Sequence, residues 1–328
     1  MTETPAAEAL VTIMRDSSRR QFISHAGACL ALTVTRPWPA TAQSSPSTKT
    51  RLILLGTGGG PRPRKNSFAS SQVILVNGVA YVIDCGNGVA IQLARAGVPL
   101  PTLRHVFITH HHSDHNADYG NLLLLAWTSG LKTRVDTWGP PPLARMSRLF
   151  FEMNAYDITT RIADEGKVPL APLVHAHELF QGGRIMRDEN VTVKGVLVDH
   201  PPVKPAFAYR FDSADRSIVL SGDTKRSDAL VRLAQGADVL VHEALYAPAV
   251  DRLATRVPNA ATLRKSILSH HTSVEDVGRV AEAAGVKTLV LSHFVPPDDP
   301  DVTDQMWIDG ARSTYKGRII VGKDLMEI

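Results

Sequence analysis

Short apolar runs that stop abruptly at a polar or ionisable residue recur along this chain. Those at Leu52–Leu55, Val73–Val76, Ala80–Ile83, His105–Ile108, Val135–Trp138 and Val191–Val198 are too short for helices and read as strands. Ala206–Phe211, Ser217–Leu220, Val239–His242, Thr288–Leu291 and Arg318–Val321 continue the series. Between them, apolar residues at helical spacing predict helices over Val89–Ala96, Ala117–Trp127, Leu143–Asn154, Ser227–Ala234, Val274–Ala284 and Thr303–Thr314. Strand pairs near both ends with helices between them predict a layered α/β domain rather than a doubly wound parallel sheet. Both halves run strands first and then helix, so the two are expected to be related in structure. Gly56-Thr57-Gly58-Gly59-Gly60 follows the first strand, but no Lys-Ser/Thr comes after it and Pro61 and Pro63 oppose an immediate helix. It reads as a tight loop whose backbone comes close to a site, not as a nucleotide loop.

The first 42 residues carry a different pattern. Ser18-Arg19-Arg20-Gln21-Phe22 resembles a twin-arginine export motif; a short apolar stretch over 26–34 follows, and Ala40-Thr41-Ala42 ends in small residues. We expect a signal peptide over 1–42, cleaved before Gln43, a linker over 43–50 and one domain over 51–328, hence a periplasmic or secreted protein. No apolar run reaches the length of a membrane span. Of the 328 residues 44% are hydrophobic and 21% charged, as in ordinary globular proteins. The pI near 9.1 is mildly basic, but Lys and Arg are scattered, which predicts no nucleic-acid partner. Removal of Cys29 with the signal would leave Cys85 alone, so no intrachain disulfide is expected; Cys85 reads as a buried, inert thiol.

The candidate chemistry begins where the run Val106-Phe107-Ile108 ends, at Thr109-His110-His111-His112-Ser113-Asp114-His115. His110, His112, Asp114 and His115 fit His-x-His-x-Asp-His, which can aim imidazoles and a carboxylate at one small volume from a strand end and its loop; neutral imidazole and carboxylate are ligands for zinc or a similar divalent metal. Three other strands end on residues of the same type: Val198-Asp199-His200, Leu220-Ser221-Gly222-Asp223 and Leu291-Ser292-His293. Any one of these alone would read as a satisfied polar residue at a strand terminus. Three repeats beside the histidine motif point to ligands.

The order His110/His112, Asp114/His115, His200, Asp223, His293 resembles that of the dinuclear hydrolases of the metallo-β-lactamase fold superfamily, over nearly all of the chain from Leu52 onward. The resemblance implies a four-layer αββα sandwich with two divalent metal ions at one edge, zinc first, with manganese or iron also compatible with the ligands. It implies that His110, His112 and His200 hold one ion, that Asp114, His115 and His293 hold the other, and that Asp223 bridges them. A hydroxide between two such cations is nucleophilic at neutral pH, and Asp114 would orient or deprotonate it. Val241-His242-Glu243 and His270-His271-Thr272 resemble motifs of the tRNA-maturation endonuclease and arylsulfatase branches, which implies a catalytic His271 oriented by Glu243.

Within the superfamily the tRNA endonuclease branch carries a long Gly/Pro-rich arm that is not found here, and export would remove precursor tRNA as a substrate. Leu54–Pro61, His112–Asp118, Asp199–Val203, Ser221–Thr224 and Trp138-Gly139-Pro140-Pro141 resemble the arylsulfatase-type branch. The expectation is therefore a periplasmic hydrolase of small-molecule esters, aryl sulfates first. Phosphodiesters or phosphotriesters, lactones or other carboxylic esters, and activated aryl halides are the alternatives. The aromatic segment Met146–Tyr156 is expected in the core, on the pocket wall or in a homodimer contact.

Overall fold

The computed structural model describes residues 49–255 and 260–328. The expected export signal over 1–42 lies outside the described residues.

The first sheet holds β1 (Arg51–Gly56), β2 (Ser71–Val76), β3 (Val79–Ile83), β4 (Leu103–Phe107), β5 (Val135–Gly139) and β6 (Val174–Glu178), in that order across the sheet. The second holds β7 (Gly183–Arg187), β8 (Val191–His200), β9 (Val203–Ser213), β10 (Ser217–Leu220), β11 (Val239–Leu245), β12 (Thr288–Val295) and β13 (Arg318–Val321), again in chain order. Each sheet begins antiparallel and ends in parallel pairs, β3 to β6 in one and β10 to β13 in the other. This repeated plan is the relation between halves that the sequence pattern suggested.

Alternation along the strands builds the layers. Leu52, Leu54, Ile74, Ile83 and Phe107 of the first sheet meet Phe207, Phe211, Leu220 and Val241 of the second in a core between the sheets. The opposite face of the first sheet, with Ile53, Leu55, Val82 and Val106, buries against α1 (Val89–Arg95) and α3 (Tyr119–Thr128). The short α2 (Ser113–Asn116) precedes α3, and α4 (Leu143–Met153) and α5 (Ala155–Glu165) lie further along. The outer face of the second sheet packs on α6 (Asp228–Leu233), α9 (Val274–Ala284) and α10 (Asp304–Arg312); α7 (Ala247–Ala254) and α8 (Ala260–His270) intervene. Helix, sheet, sheet, helix is the expected αββα sandwich.

Among the described residues, six α-helices and strands were not predicted. β6 (Val-His-Ala-His-Glu) and β7 are half-exposed, and the first is a sheet edge, so neither carries a buried apolar run. α5 follows α4 after the single residue Asn154, which hides it in the aromatic segment. That segment divides: Phe151 packs against the core, whereas Met153 and Tyr156 are 74% and 87% exposed. α7 and α8 lie between strands as short or polar helices. The helix predicted from Ala117 starts at Tyr119, and Asp114 and His115 sit on the separate α2 rather than in a loop.

Candidate metal centre

The predicted ligands gather at one edge of the sandwich, on strands of both sheets and the segments that follow them. His110 and His112 follow β4, Asp114 and His115 ride on α2, His200 ends β8, Asp223 follows β10, and His293 lies within β12. Two cross-sheet hydrogen bonds hold the histidine loop in place. The Phe207 amide donates to the Thr109 carbonyl at 3.0 Å and the Tyr209 hydroxyl to the Ile108 carbonyl at 2.9 Å. Asp223 is presented by a turn with Gly222 at φ 57°, where a Cβ would lie 2.6 Å from the Phe207 carbonyl oxygen.

The ligand atoms converge as two trios. His112 Nδ1 lies 3.1 Å from both His110 Nε2 and His200 Nε2. His293 Nε2 lies 3.1 Å from both His115 Nε2 and Asp114 Oδ2. Asp223 stands between them: Oδ2 is 3.7 Å from His110 Nε2 and from His200 Nε2, and Oδ1 is 3.3 Å from His115 Nε2 and from His293 Nε2.

Hydrogen bonds on the far side of the rings decide which nitrogens are bare. Asp84 takes the Thr109 hydroxyl proton at 2.9 Å and the His115 Nδ1 proton at 2.7 Å. With its own proton committed, the Thr109 hydroxyl accepts from His110 Nδ1 at 3.1 Å. His200 Nδ1 donates to the His270 carbonyl at 3.0 Å. The inward nitrogens of these three rings are thus lone pairs facing other lone pairs and carboxylate oxygens, and buried Asp223 Oδ1 has no hydrogen-bond donor among the described residues. Donors around a tetrahedral zinc at about 2.0–2.1 Å are separated by roughly 3.3–3.4 Å. The residues present therefore fit divalent cations, one at each trio.

The electrostatics of His110 and His200 agree with neutral ligands. Burial holds His110 well below the ordinary imidazole range and His200 down at about 4, so both are unprotonated at neutral pH. Asp223 and Asp114 pay for burial but are held low by the surrounding histidines. His115 shows the opposite direction: burial lowers it, but three carboxylates outweigh that and raise it well above the usual value.

His271 and Glu243 adjoin the trios. His271 Nδ1 donates to Glu243 Oε2 at 2.8 Å and lies 3.9 Å from Asp223 Oδ2; Glu243 Oε1 accepts from the Thr224 amide at 2.8 Å. Burial pushes His271 down, but the Glu243 charge and hydrogen bond, with Asp223 and Asp114 beyond, lift it to about 9. Its side chain is 13% exposed, against 5% or less for His110, His115, His200 and His293, so the site opens beside His271 and the half-buried His112. The glycine loop does approach the site: the Gly60 amide donates to Asp114 Oδ2 at 2.7 Å, and a Cβ on Gly59 would lie 2.8 Å from the His293 ring.

Sequence reasoning missed Asp84 and Thr109. The signal for Asp84 was present, because Val82-Ile83 is another apolar run that stops at a carboxylate. Middle His111 is a brace: its Nε2 donates to the Pro140 carbonyl at 2.8 Å and its Nδ1 accepts from Asn116 at 3.0 Å.

Two stacked mixed sheets between helices, with a histidine and carboxylate cluster at one edge, define a metal-centre protein of the metallo-β-lactamase fold. The profile described as "Beta-lactamase superfamily domain" matches residues 80–294, and the chain belongs to that superfamily. Ribonuclease Z of Mycobacterium bovis is 35% identical over 273 residues, which is 82% of this chain and 95% of that protein. Among solved structures, the metallo-beta-lactamase fold protein YhfI from Bacillus subtilis superposes with TM-score 0.62 at 18% identity, covering 85% of this chain and 98% of its own. Human tRNase Z, short form (ELAC1), gives 0.61 at 22% identity, covering 85% and 98%.

These findings correct the expected function and partner. The 35% identical relative is named a ribonuclease, which overturns the periplasmic aryl sulfate esterase and the pairing of a small-molecule ester with no nucleic acid. The missing arm misled because this chain spans 95% of that ribonuclease, so no long segment absent here separates the two. Scattered Lys and Arg misled because folding gathers distant residues. Burial lowers the pKa of the Arg64 guanidinium and the charge of nearby Asp114 opposes it, while the Lys225 amide donates a hydrogen bond to the carbonyl of Asp199, next to His200, at 2.9 Å.

Proposed function

We propose that this chain is a metal-dependent phosphodiesterase that cuts RNA. The observation that carries this reading is its match to ribonuclease Z along 95% of that protein's length, and the two trios joined by Asp223 support it. His110, His112 and His200 would hold one divalent cation, Asp114, His115 and His293 the other, and Asp223 both; zinc suits the donor set best. Bound there, the cations supply Lewis acidity toward a phosphate and lower the pKa of a water molecule toward neutrality.

The chain's own groups perform the rest. Asp114, ionised and held by the Gly60 amide, orients the attacking water and draws off its proton. The scissile phosphate enters on the open side, between His112 and His271. As the new phosphorus–oxygen bond forms and the bond to the leaving ribose oxygen breaks, protonated His271 gives its Nε2 proton to that oxygen. Glu243, fixed by the Thr224 amide, keeps His271 in the correct orientation and stabilises its charge.

The test compares a folded RNA bearing a 3′ extension, an unstructured RNA and bis(p-nitrophenyl) phosphate, each with the zinc-loaded protein. RNA cleavage at a kcat/KM orders of magnitude above that for the aryl diester is expected; turnover of the diester with intact RNA would overturn the reading. Export by residues 1–42 is a separate proposal, tested by fractionating cells that express the full chain. It would place the substrate outside the cytoplasm, and there the unstructured RNA is the substrate of interest.

A further inference from the structure

Beneath the second trio, between the sheets, lies a narrow cavity of about 20 Å³ lined by Ser70, Gln72, Ser292 and His293 together with groups of the site. Its polar atoms are unevenly served. Asp84 is fully engaged by Thr109 and His115, and Ser221 Oγ donates to the Gly222 carbonyl and accepts from the Glu243 amide. In contrast, Ser292 Oγ and His293 Nδ1 are buried with no partner among the described residues, in residues only 2% and 4% exposed. Gln72, 5% exposed, has a single long contact, 3.5 Å from Nε2 to Ser70 Oγ.

His293 stands apart from the other fully buried histidine ligands in this respect. His110, His115 and His200 each have the second ring nitrogen tied to a hydroxyl, a carboxylate or a carbonyl. A ligating histidine almost always donates its other N–H to such a group or to water, which fixes the tautomer and the ring plane. A buried polar nitrogen without a partner is destabilising. One water needs roughly 10–15 Å³ of such space and two to four polar partners, and this cavity offers both.

We propose that the cavity is a binding site for one ordered water. That water accepts the His293 Nδ1 proton and donates to the Gln72 side-chain carbonyl and to Ser292 Oγ. Gln72 is then a positioning residue, acting through the water to turn the His293 Nε2 lone pair toward Asp114 and Asp223. The role in ligand positioning rests on the reading of the trios as cation sites; the water itself does not.

The experiment has two arms. An atomic-resolution crystal structure of the unaltered, zinc-loaded chain is expected to show solvent density within hydrogen-bond distance of His293 Nδ1, Ser292 Oγ and Gln72. Chelator competition then measures zinc affinity site by site in the unaltered chain, in Gln72→Met and in Ser292→Ala. The variants are expected to lose about tenfold at one site and nothing at the other. A dry cavity, or full affinity in both variants, overturns the proposal. Failure of the unaltered chain to bind zinc at all would instead overturn the cation reading while leaving the solvent result to stand. Should Gln72→Met not fold, Ser292→Ala, which removes one atom, and the map of the unaltered chain still decide.

Discussion

The two oxygens of Asp223 divide their contacts, Oδ2 toward His110 and His200 and Oδ1 toward His115 and His293. A residue so placed is the hinge of both sites, and Asp223→Ala is expected to lose bound metal and activity together. Metal analysis after dialysis checks this, and full retention would refute the bridging role. His271 contributes differently, because its Nδ1 is occupied by Glu243 and it approaches Asp223 no closer than 3.9 Å. His271→Ala should keep both metals yet slow turnover by roughly 10²–10⁴-fold, the range for a general acid. The loss should be greatest for substrates with poor leaving groups, such as RNA, and least for an aryl diester. An equal loss on all of them would count against proton donation.

At the scale of elements, the parts of the site that rest on buried strands were legible. β4, β8 and β12 are apolar runs that stop on or run into His110, His200 and His293, and a core strand must be apolar wherever it lies between two sheets. The polar edge strand β6 and the α4–α5 break at Asn154 escaped notice because half-exposed elements leave no such record. The supporting groups escaped for another reason: Asp84 and Thr109 act through hydrogen bonds to other residues, and no spacing rule links position 84 to position 115. One tie between elements has a pH signature. Asp238, just before β11, accepts from the Ser217 amide and hydroxyl at the start of β10 and from Lys287 before β12 at 2.7 Å. Burial alone would raise its pKa, but Lys287 and Ser217 bring it down to about 2. A depressed carboxylate stabilises the fold above its unfolded pKa, near 4, and that contribution fades as pH falls from about 4 to 2. Asp238→Asn should therefore cost about 1–2 kcal/mol at pH 7 after allowance for solvent screening. Its urea stability profile should meet that of the unaltered chain near pH 2; a constant gap across that range would deny the carboxylate its role.

Across the whole molecule, the repeated plan of the two sheets brings both sets of parallel strand ends to one edge, so a single mouth collects ligands from positions 110 to 293. The same gathering acts on charge. The sequence carries a net charge of only +4, and its basic residues look dispersed, yet Arg64 comes under the charge of Asp114 and Lys225 is bonded beside His200 at Asp199, each from a distant segment. If RNA is the substrate, its flanking phosphates must displace counterions on binding, whereas a small aryl diester presents one charge and no flanking phosphates. For single strands, log K falls with log salt at about 0.7 per neutralised phosphate. Three phosphate contacts would then raise the KM for RNA by roughly twentyfold between about 50 and 200 mM salt. The KM for bis(p-nitrophenyl) phosphate should change far less over that range, and kcat for both should hold steady, because salt screens the approach rather than the buried trios. Lys225→Ala measured across the same salt series should flatten the RNA dependence by about one phosphate contact and leave the diester unchanged. An RNA KM as indifferent to salt as that of the diester would show that this mouth engages the scissile group alone, and the case for a nucleic-acid substrate would fail at the scale on which it was made.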